Sequence, residues 1–409
     1  MTISTASRTS AWSVFWIFLR LGLTSFGGPV AHLAFFREEF VNRRRWLSEA
    51  AYADTVALCQ FLPGPASSQV GMALGMFQAG YRGALAAWAG FTLPSALLLI
   101  AFAYGVGAYS ELLADGALQG LKIAALAVVA QAVWGMGRQL CTDARRITLM
   151  VLTASVVLLV PTAWAQLMCL LVAGALGVWW LRVVTTDSTQ AQPGANGQST
   201  AWFAGRSAGL MWLVAFVVGL LGLPVLAQWL DSPLWHMADA YYRAGALVFG
   251  GGHVVLPLLQ AELVPTGWVD NDVFLAGYGA TQAVPGPLFT FAAFLGASSL
   301  QGPAGWLGGL WALAAIFVPS FLLVAGALPF WQVLRGHRLA RSALAGVNAA
   351  VVGLLLAALY QPVWTSAIRG VPDVVLALLA WAALMFWRCP PWLLVVACAV
   401  LGAFGLSAA

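Results

Sequence analysis

Charge is what this sequence has least of. Asp, Glu, Lys and Arg make up 8% of its 409 residues, against about 25% in an ordinary soluble domain. So few charged side chains cannot clothe a water-soluble surface of this size, which excludes a soluble globular fold. Cysteine is sparse and without pattern: Cys59, Cys141, Cys169, Cys389 and Cys398 form no CxxC and have no histidine at zinc-binding spacing. A disulfide framework and a zinc module are therefore not expected, and the cysteines read as packing residues. HExxH is missing as well; an intramembrane enzyme is not expected, and neither is a metal or cofactor. The arginines are dispersed over short loops, so the formal net charge of +5 is no nucleic-acid signature. Arg20 interrupts the first apolar run and no small-residue cleavage site follows it, so a removed signal peptide is not expected.

What is there is apolar. Hydrophobic residues make up 61% of the chain, and apolar stretches recur between Ala11 and Gly405, each near the roughly 20 residues a helix needs to cross about 30 Å of hydrocarbon. In lipid such segments must be helices, because every backbone polar group needs an internal partner. The fold class is an all-α polytopic membrane protein. The stretch from Thr185 to Thr200, TTDSTQAQPGANGQST, has no bulky apolar side chain and reads as a flexible linker.

On the two sides of that linker the sequence repeats itself. Phe26-Gly27-Gly28 is matched by Phe249-Gly250-Gly251, Glu39 by Glu262, Trp46 by Trp268, and Pro63-Gly64-Pro65 by Pro285-Gly286-Pro287, all at an offset of 222 or 223. Pro94-Ser95 corresponds to Pro319-Ser320, and more loosely Gly120 to Gly346 and Lys122 to Asn348. The expected organisation is a first repeat over residues 11–182, a cytoplasmic linker over 183–206, an extra transmembrane helix over 207–230 and a second repeat over 241–408, with about 13 membrane segments in all.

Positive residues mark cytoplasmic loops, and equivalent loops carry opposite charge. Arg37, Arg43, Arg44 and Arg45 face Glu262, Asp270 and Asp272 in the counterpart loop, while Glu111 and Asp115 face Arg335, Arg338 and Arg341. The halves are expected to be inverted in the membrane, with re-entrant or broken helices at the FGG and PGP motifs. Arg369 is the basic residue this arrangement misplaces.

Pro-Gly-Pro removes two backbone donors, so a helix must break there. After the first break the chain restarts with Pro65-Ala66-Ser67-Ser68-Gln69, offering free amides, two hydroxyls and a carboxamide. A helix N-terminus with such donors is a ready anion site. The second restart, Pro287-Leu288-Phe289-Thr290, is poorer in donors. Paired interruptions in two halves point to a midplane binding site. Gly27, Gly28, Gly250, Gly251 and Gly252 allow close backbone approach to a ligand, though small residues also serve helix packing. The substrate-binding candidates are therefore these glycines, both Pro-Gly-Pro motifs (Pro63, Gly64, Pro65; Pro285, Gly286, Pro287), Ser67, Ser68, Gln69 and Thr290, with Lys122 and Asn348 deep in the segments. Ionisable residues within apolar stretches are functional candidates: Asp54, Glu39, Glu262, His253, Arg20 and Arg243 for proton or charge coupling. Arg20 and Arg243 lie near segment ends, where snorkelling to the interface explains them equally well.

The strings from Phe249 to Leu259 (FGGGHVVLPLL) and from Pro285 to Gly296 (PGPLFTFAAFLG), with Phe26-Gly27-Gly28-Pro29 and Pro63-Gly64-Pro65, closely resemble the chromate ion transporter (CHR) family of the long-chain, two-domain type. The resemblance implies a multi-pass, two-repeat transporter of the bacterial cytoplasmic membrane that exports chromate, confers chromate resistance and draws on the proton gradient. Its partners would be the chromate anion, protons and membrane lipid. Sulfate or another tetrahedral anion, or a channel mechanism, is the alternative, and the oligomeric state stays open. Pro29 stands where the second half has Gly252, which argues against equal shares for the two halves.

Overall fold

The computed structural model describes residues 9–108, 115–181, 205–331 and 337–404. The expected linker lies outside the described residues apart from its last two positions, as do Glu111 and Arg335. Helices account for the described chain, with no strand among the described residues.

The first segment is cut in two. α1 (Ala11–Thr24) starts on Ser10, whose hydroxyl accepts the Ser13 amide, and stops at extended Ser25; α2 (Gly28–Arg37) restarts from left-handed Gly27 and runs on into a wide helical turn, Glu38–Arg43. α3 (Glu49–Phe61) is followed by Pro63-Gly64-Pro65 and α4 (Ala66–Ala108), which bends where Ala79 and Gly80 leave helical geometry. Then come α5 (Asp115–Leu140), α6 (Ala144–Leu159), α7 (Ala163–Trp180) and α8 (Arg206–Leu230). The second half repeats the order: α9 (Pro233–Leu247), the glycine run, α10 (Val255–Leu263), α11 (Asn271–Thr281), Pro285-Gly286-Pro287, α12 (Phe291–Ala297), α13 (Gly305–Ala327), α14 (Arg338–Ala358), α15 (Val371–Met385) and α16 (Pro391–Ala403).

Six helices among the described residues are long and apolar enough to cross a membrane. The broken pairs are not: α1 has 14 residues and α3 has 13, about 20 Å of helix each against about 30 Å of hydrocarbon. Neither leg alone is long enough to cross. α8 lies at the periphery, packed on α9 and α13 with most of its surface exposed.

Contacts of one half recur in the other. α1 packs on α4 through Gly22 against the Phe91 carbonyl, and α9 packs on α13 through Gly245 against the Ile316 carbonyl. The last two helices of each half cross over: α6 and α7 pack on α14, and α15 and α16 pack on α5. Gly120 lies against the Cys398 carbonyl and its repeat counterpart Gly346 against the Ala173 carbonyl. Where no apolar driving force separates helix from lipid, such close approach through small residues supplies the association. The largest core cluster draws Ile100, Leu126, Phe289, Phe294, Ile316 and Leu354 from both halves.

Candidate functional site

The two Pro-Gly-Pro breaks meet the opposite half in the same way. The Gly64 amide donates to the carbonyl of Val248 at 2.7 Å, and the Gly286 amide donates to the carbonyl of Ser25 at 3.0 Å. Ser25 and Val248 directly precede the two FGG motifs. Both break glycines sit at positive φ, +121° for Gly64 and +109° for Gly286, which side chains rarely tolerate. Each also faces the opposite Pro-Ser pair: a Cβ on Gly64 would stand 2.6 Å from Ser320 Oγ, and one on Gly286 2.8 Å from Ser95 Oγ. Each break is thus wedged between the residue before the other half's glycine run and that half's Pro-Ser helix.

Proline chemistry leaves donors at this junction. The first regular helical bond of α4 runs from the Gln69 amide to the Pro65 carbonyl at 2.9 Å, so the Ala66, Ser67 and Ser68 amides precede the intrahelical ladder. In the second half the Thr290 amide donates to Pro287 O at 3.0 Å and the Thr290 hydroxyl donates to the same carbonyl at 2.7 Å. That hydroxyl is committed locally, and the first half carries the richer donor set.

Around the breaks lie buried polar atoms with no hydrogen-bond partner among the described residues: Ser25 Oγ, Ser68 Oγ, Gln69 Oε1, Thr92 Oγ1 and Ser320 Oγ. They belong to one neighbourhood. Gln69 Nε2 donates to Pro63 O at 2.6 Å beside Gly64 and Ser320; Ser95 Oγ donates to Thr92 O beside Gly286. Leaving a buried polar atom unpaired costs about 1–3 kcal/mol, and native interiors hold few such atoms. Donors and acceptors so placed are able to meet a polar ligand.

His32 closes this neighbourhood and is absent from the sequence candidates. It is buried, its Nε2–H donates to Ser25 O at 3.2 Å, and Nδ1 lies 3.4 Å from Ser67 Oγ. Because a carbonyl only accepts, Nε2 carries the proton and Nδ1 accepts from the Ser67 hydroxyl. The Ser25 carbonyl therefore binds His32 and Gly286 together. No sequence signal marked His32, a lone histidine in an apolar run. Ser95 and Ser320 had one: their Pro-Ser pairs already stood out as a repeat match.

The remaining candidates lie elsewhere. Lys122 is buried and forms an ion pair with Asp272 at 3.0 Å. Asn348 Oδ1 has no partner and faces the Gly250 backbone. Gly251 carries a φ of +153°, and Gly252 backs onto Leu288 after the second break. Glu39 is held by Arg43 and Arg44, whereas its counterpart Glu262 shares Arg243 with Asp239, at 3.0 Å and 2.9 Å. Arg20, the counterpart of Arg243, is exposed on α1, and Asp54 is exposed on α3. His253 Nδ1 is hydrogen-bonded to the Tyr278 hydroxyl at 2.7 Å.

Comparison with known proteins agrees with this two-part architecture. The model of the chromate transporter family matches residues 12–178 and 235–403. The chain belongs to the chromate transporter family. The family model thus matches the chain twice, and α8 lies between the two matched regions. The transporter is 28% identical over 351 residues to the chromate transport protein of Pseudomonas aeruginosa, covering 83% of this chain and 77% of that protein. It is 26% identical over 392 residues to the chromate transport protein of Cupriavidus metallidurans, covering 93% and 88%. The uncharacterized transporter YwrB of Bacillus subtilis matches at 29% over 179 residues, 42% of this chain but 88% of that protein, so a relative of about one repeat's length exists. No solved structure matches this transporter.

Proposed function

We propose that the protein exports chromate across the bacterial cytoplasmic membrane, driven by the proton motive force, and so confers chromate resistance. The observation that carries this reading is the reciprocal junction of the two breaks, lined by the Ala66–Ser68 amides and by Ser68, Gln69 and Ser320. Chromate is a tetrahedral dianion; helix N-termini and hydroxyl donors match it without a buried cation. The family membership and the names of the relatives in Pseudomonas and Cupriavidus, both chromate transport proteins, support the substrate. The unequal charge of equivalent loops supports inverted halves, with the Arg37–Arg45 and Arg335–Arg341 loops in the cytoplasm.

Export fits the energetics. Moving one charge through 100 mV is worth about 2.3 kcal/mol, so an inside-negative potential favours expulsion of a dianion by about twice that. Proton coupling adds to this drive; Asp54, Glu39, Glu262 and His253 are the acceptors open to it. Sulfate shares shape and charge with chromate, and selectivity between them is an arm of the test. In everted vesicles with an imposed potential and pH gradient, the wild type accumulates chromate in preference to sulfate, and Ser68→Ala reduces that accumulation at least tenfold while membrane insertion is retained. Unchanged cellular chromate on expression, or wild-type transport by Ser68→Ala, would overturn the reading.

A further inference from the structure

Between the C-terminal end of α5 and the first turns of α6 and α14 lies a cleft of about 200 Å³ lined by Leu140, Arg146, Arg341, Leu344, Ala345 and Asn348. One water needs only about 10–15 Å³ of such space. Arg146 and Arg341 sit in the first turns of their helices, where a cation opposes the helix dipole. An anion in the cleft inverts that relation, because it meets two helix N-termini and two guanidinium groups together. Arg146 is held in place by Asp143, at 3.1 Å, and by the Leu140 carbonyl. At the floor, the half-buried Asn348 amide, Met136 and Val351 stand against the backbone of Gly250, so the cleft leads to the second glycine run.

The equivalent place in the other half is lined differently. At the repeat offset of 226 that relates Gly120 to Gly346, Ala345 and Asn348 correspond to Gln119 and Lys122. Gln119 fills its position and donates to Ala367 O at 2.6 Å, Lys122 is neutralised by Asp272, and buried Asp373 accepts the Arg369 and Gly370 amides. One side is filled by Gln119 and the Lys122–Asp272 pair; the other holds the cleft, with Arg146 paired to Asp143.

We propose that the Arg146–Arg341–Asn348 cleft is a loading site for a tetrahedral dianion, occupied before the ion reaches the helix breaks. This rests on the oxyanion-transport reading above. The test pairs equilibrium binding of radiolabelled sulfate and chromate to the full-length protein in detergent with initial-rate transport from the arginine-bearing side in everted vesicles. The double variant Arg146→Gln/Arg341→Gln is expected to raise KM and weaken binding by about tenfold or more, the worth of one lost charge-assisted hydrogen bond, with Vmax within twofold of wild type. Arg146→Lys/Arg341→Lys recovers part of the loss, and Arg206→Gln, at the start of peripheral α8, changes neither. Unchanged KM and binding, or loss of Vmax with binding intact, overturns the loading site. So does arginine-dependent retention of phosphatidylglycerol that chromate fails to displace, since the cleft would then serve a lipid headgroup. If the wild type moves no oxyanion, the transport reading fails, while the binding measurement still decides the cleft.

Discussion

Replacing Gly64 by alanine tests the junction directly. Its φ of +121° lies in the left-handed half of conformational space, where an L-residue pays about 1–2 kcal/mol. The new methyl would stand 2.6 Å from both Gln69 Nε2 and Ser320 Oγ, and overpacking of that kind costs about 1–3 kcal/mol. Any shift that relieves it stretches the 2.7 Å bond to Val248, worth about 0.5–1.5 kcal/mol net. Together these reach about 3–6 kcal/mol, two to four decades in the population of the assembled junction. Gly80→Ala is the control: φ is +60° and ψ −151° there and nothing lies within 4 Å, so only the backbone cost of about 1–3 kcal/mol remains. Tryptophan fluorescence melting in detergent and chromate transport in vesicles should both rank wild type above Gly80→Ala, and Gly80→Ala well above Gly64→Ala. Gly286→Ala should behave like Gly64→Ala. Equal melting and transport for Gly64→Ala and Gly80→Ala would refute the reasoning.

Three further outcomes follow from named contacts. His32→Phe keeps a ring against Phe91 but leaves Ser67 Oγ and one lone pair of Ser25 O unpaired; a stability loss of about 1–3 kcal/mol is expected by melting, with a smaller loss for His32→Gln. Arg243→Gln strands Asp239 and Glu262, both largely buried, at about 3–5 kcal/mol, and Arg243→Gln/Glu262→Gln should recover a substantial part, as read by monodispersity after heating. Gly120→Val and Gly346→Val each drive a side chain into a neighbouring backbone carbonyl, whereas Gly105→Val meets nothing within 4 Å. Size-exclusion profiles should show the first two aggregating alike and the third intact.

Sequence alone determined that this is an all-helical membrane protein with two related halves and a break of glycines and prolines in each. Those properties are written locally: apolar length, missing amide hydrogens and a repeat read along the chain. It also placed Ser67, Ser68 and Gln69 after the first break, because a helix restart after Pro-Gly-Pro has fixed consequences for the next three amides. Lys122 shows the limit. Its depth in an apolar run marked it as a ligand candidate, yet Asp272, 150 residues away, holds it in an ion pair. His32 shows the converse, since no local signal marks it as bordering a break contributed by another part of the chain. Only the tertiary structure decided that each break docks on the opposite half's glycine run, that Gly64 meets Val248 and Gly286 meets Ser25, and that Arg146 and Arg341 line one cleft. The physical reason is that a broken helix must find partners for its backbone groups inside the protein, and which partners it finds depends on how the halves pack.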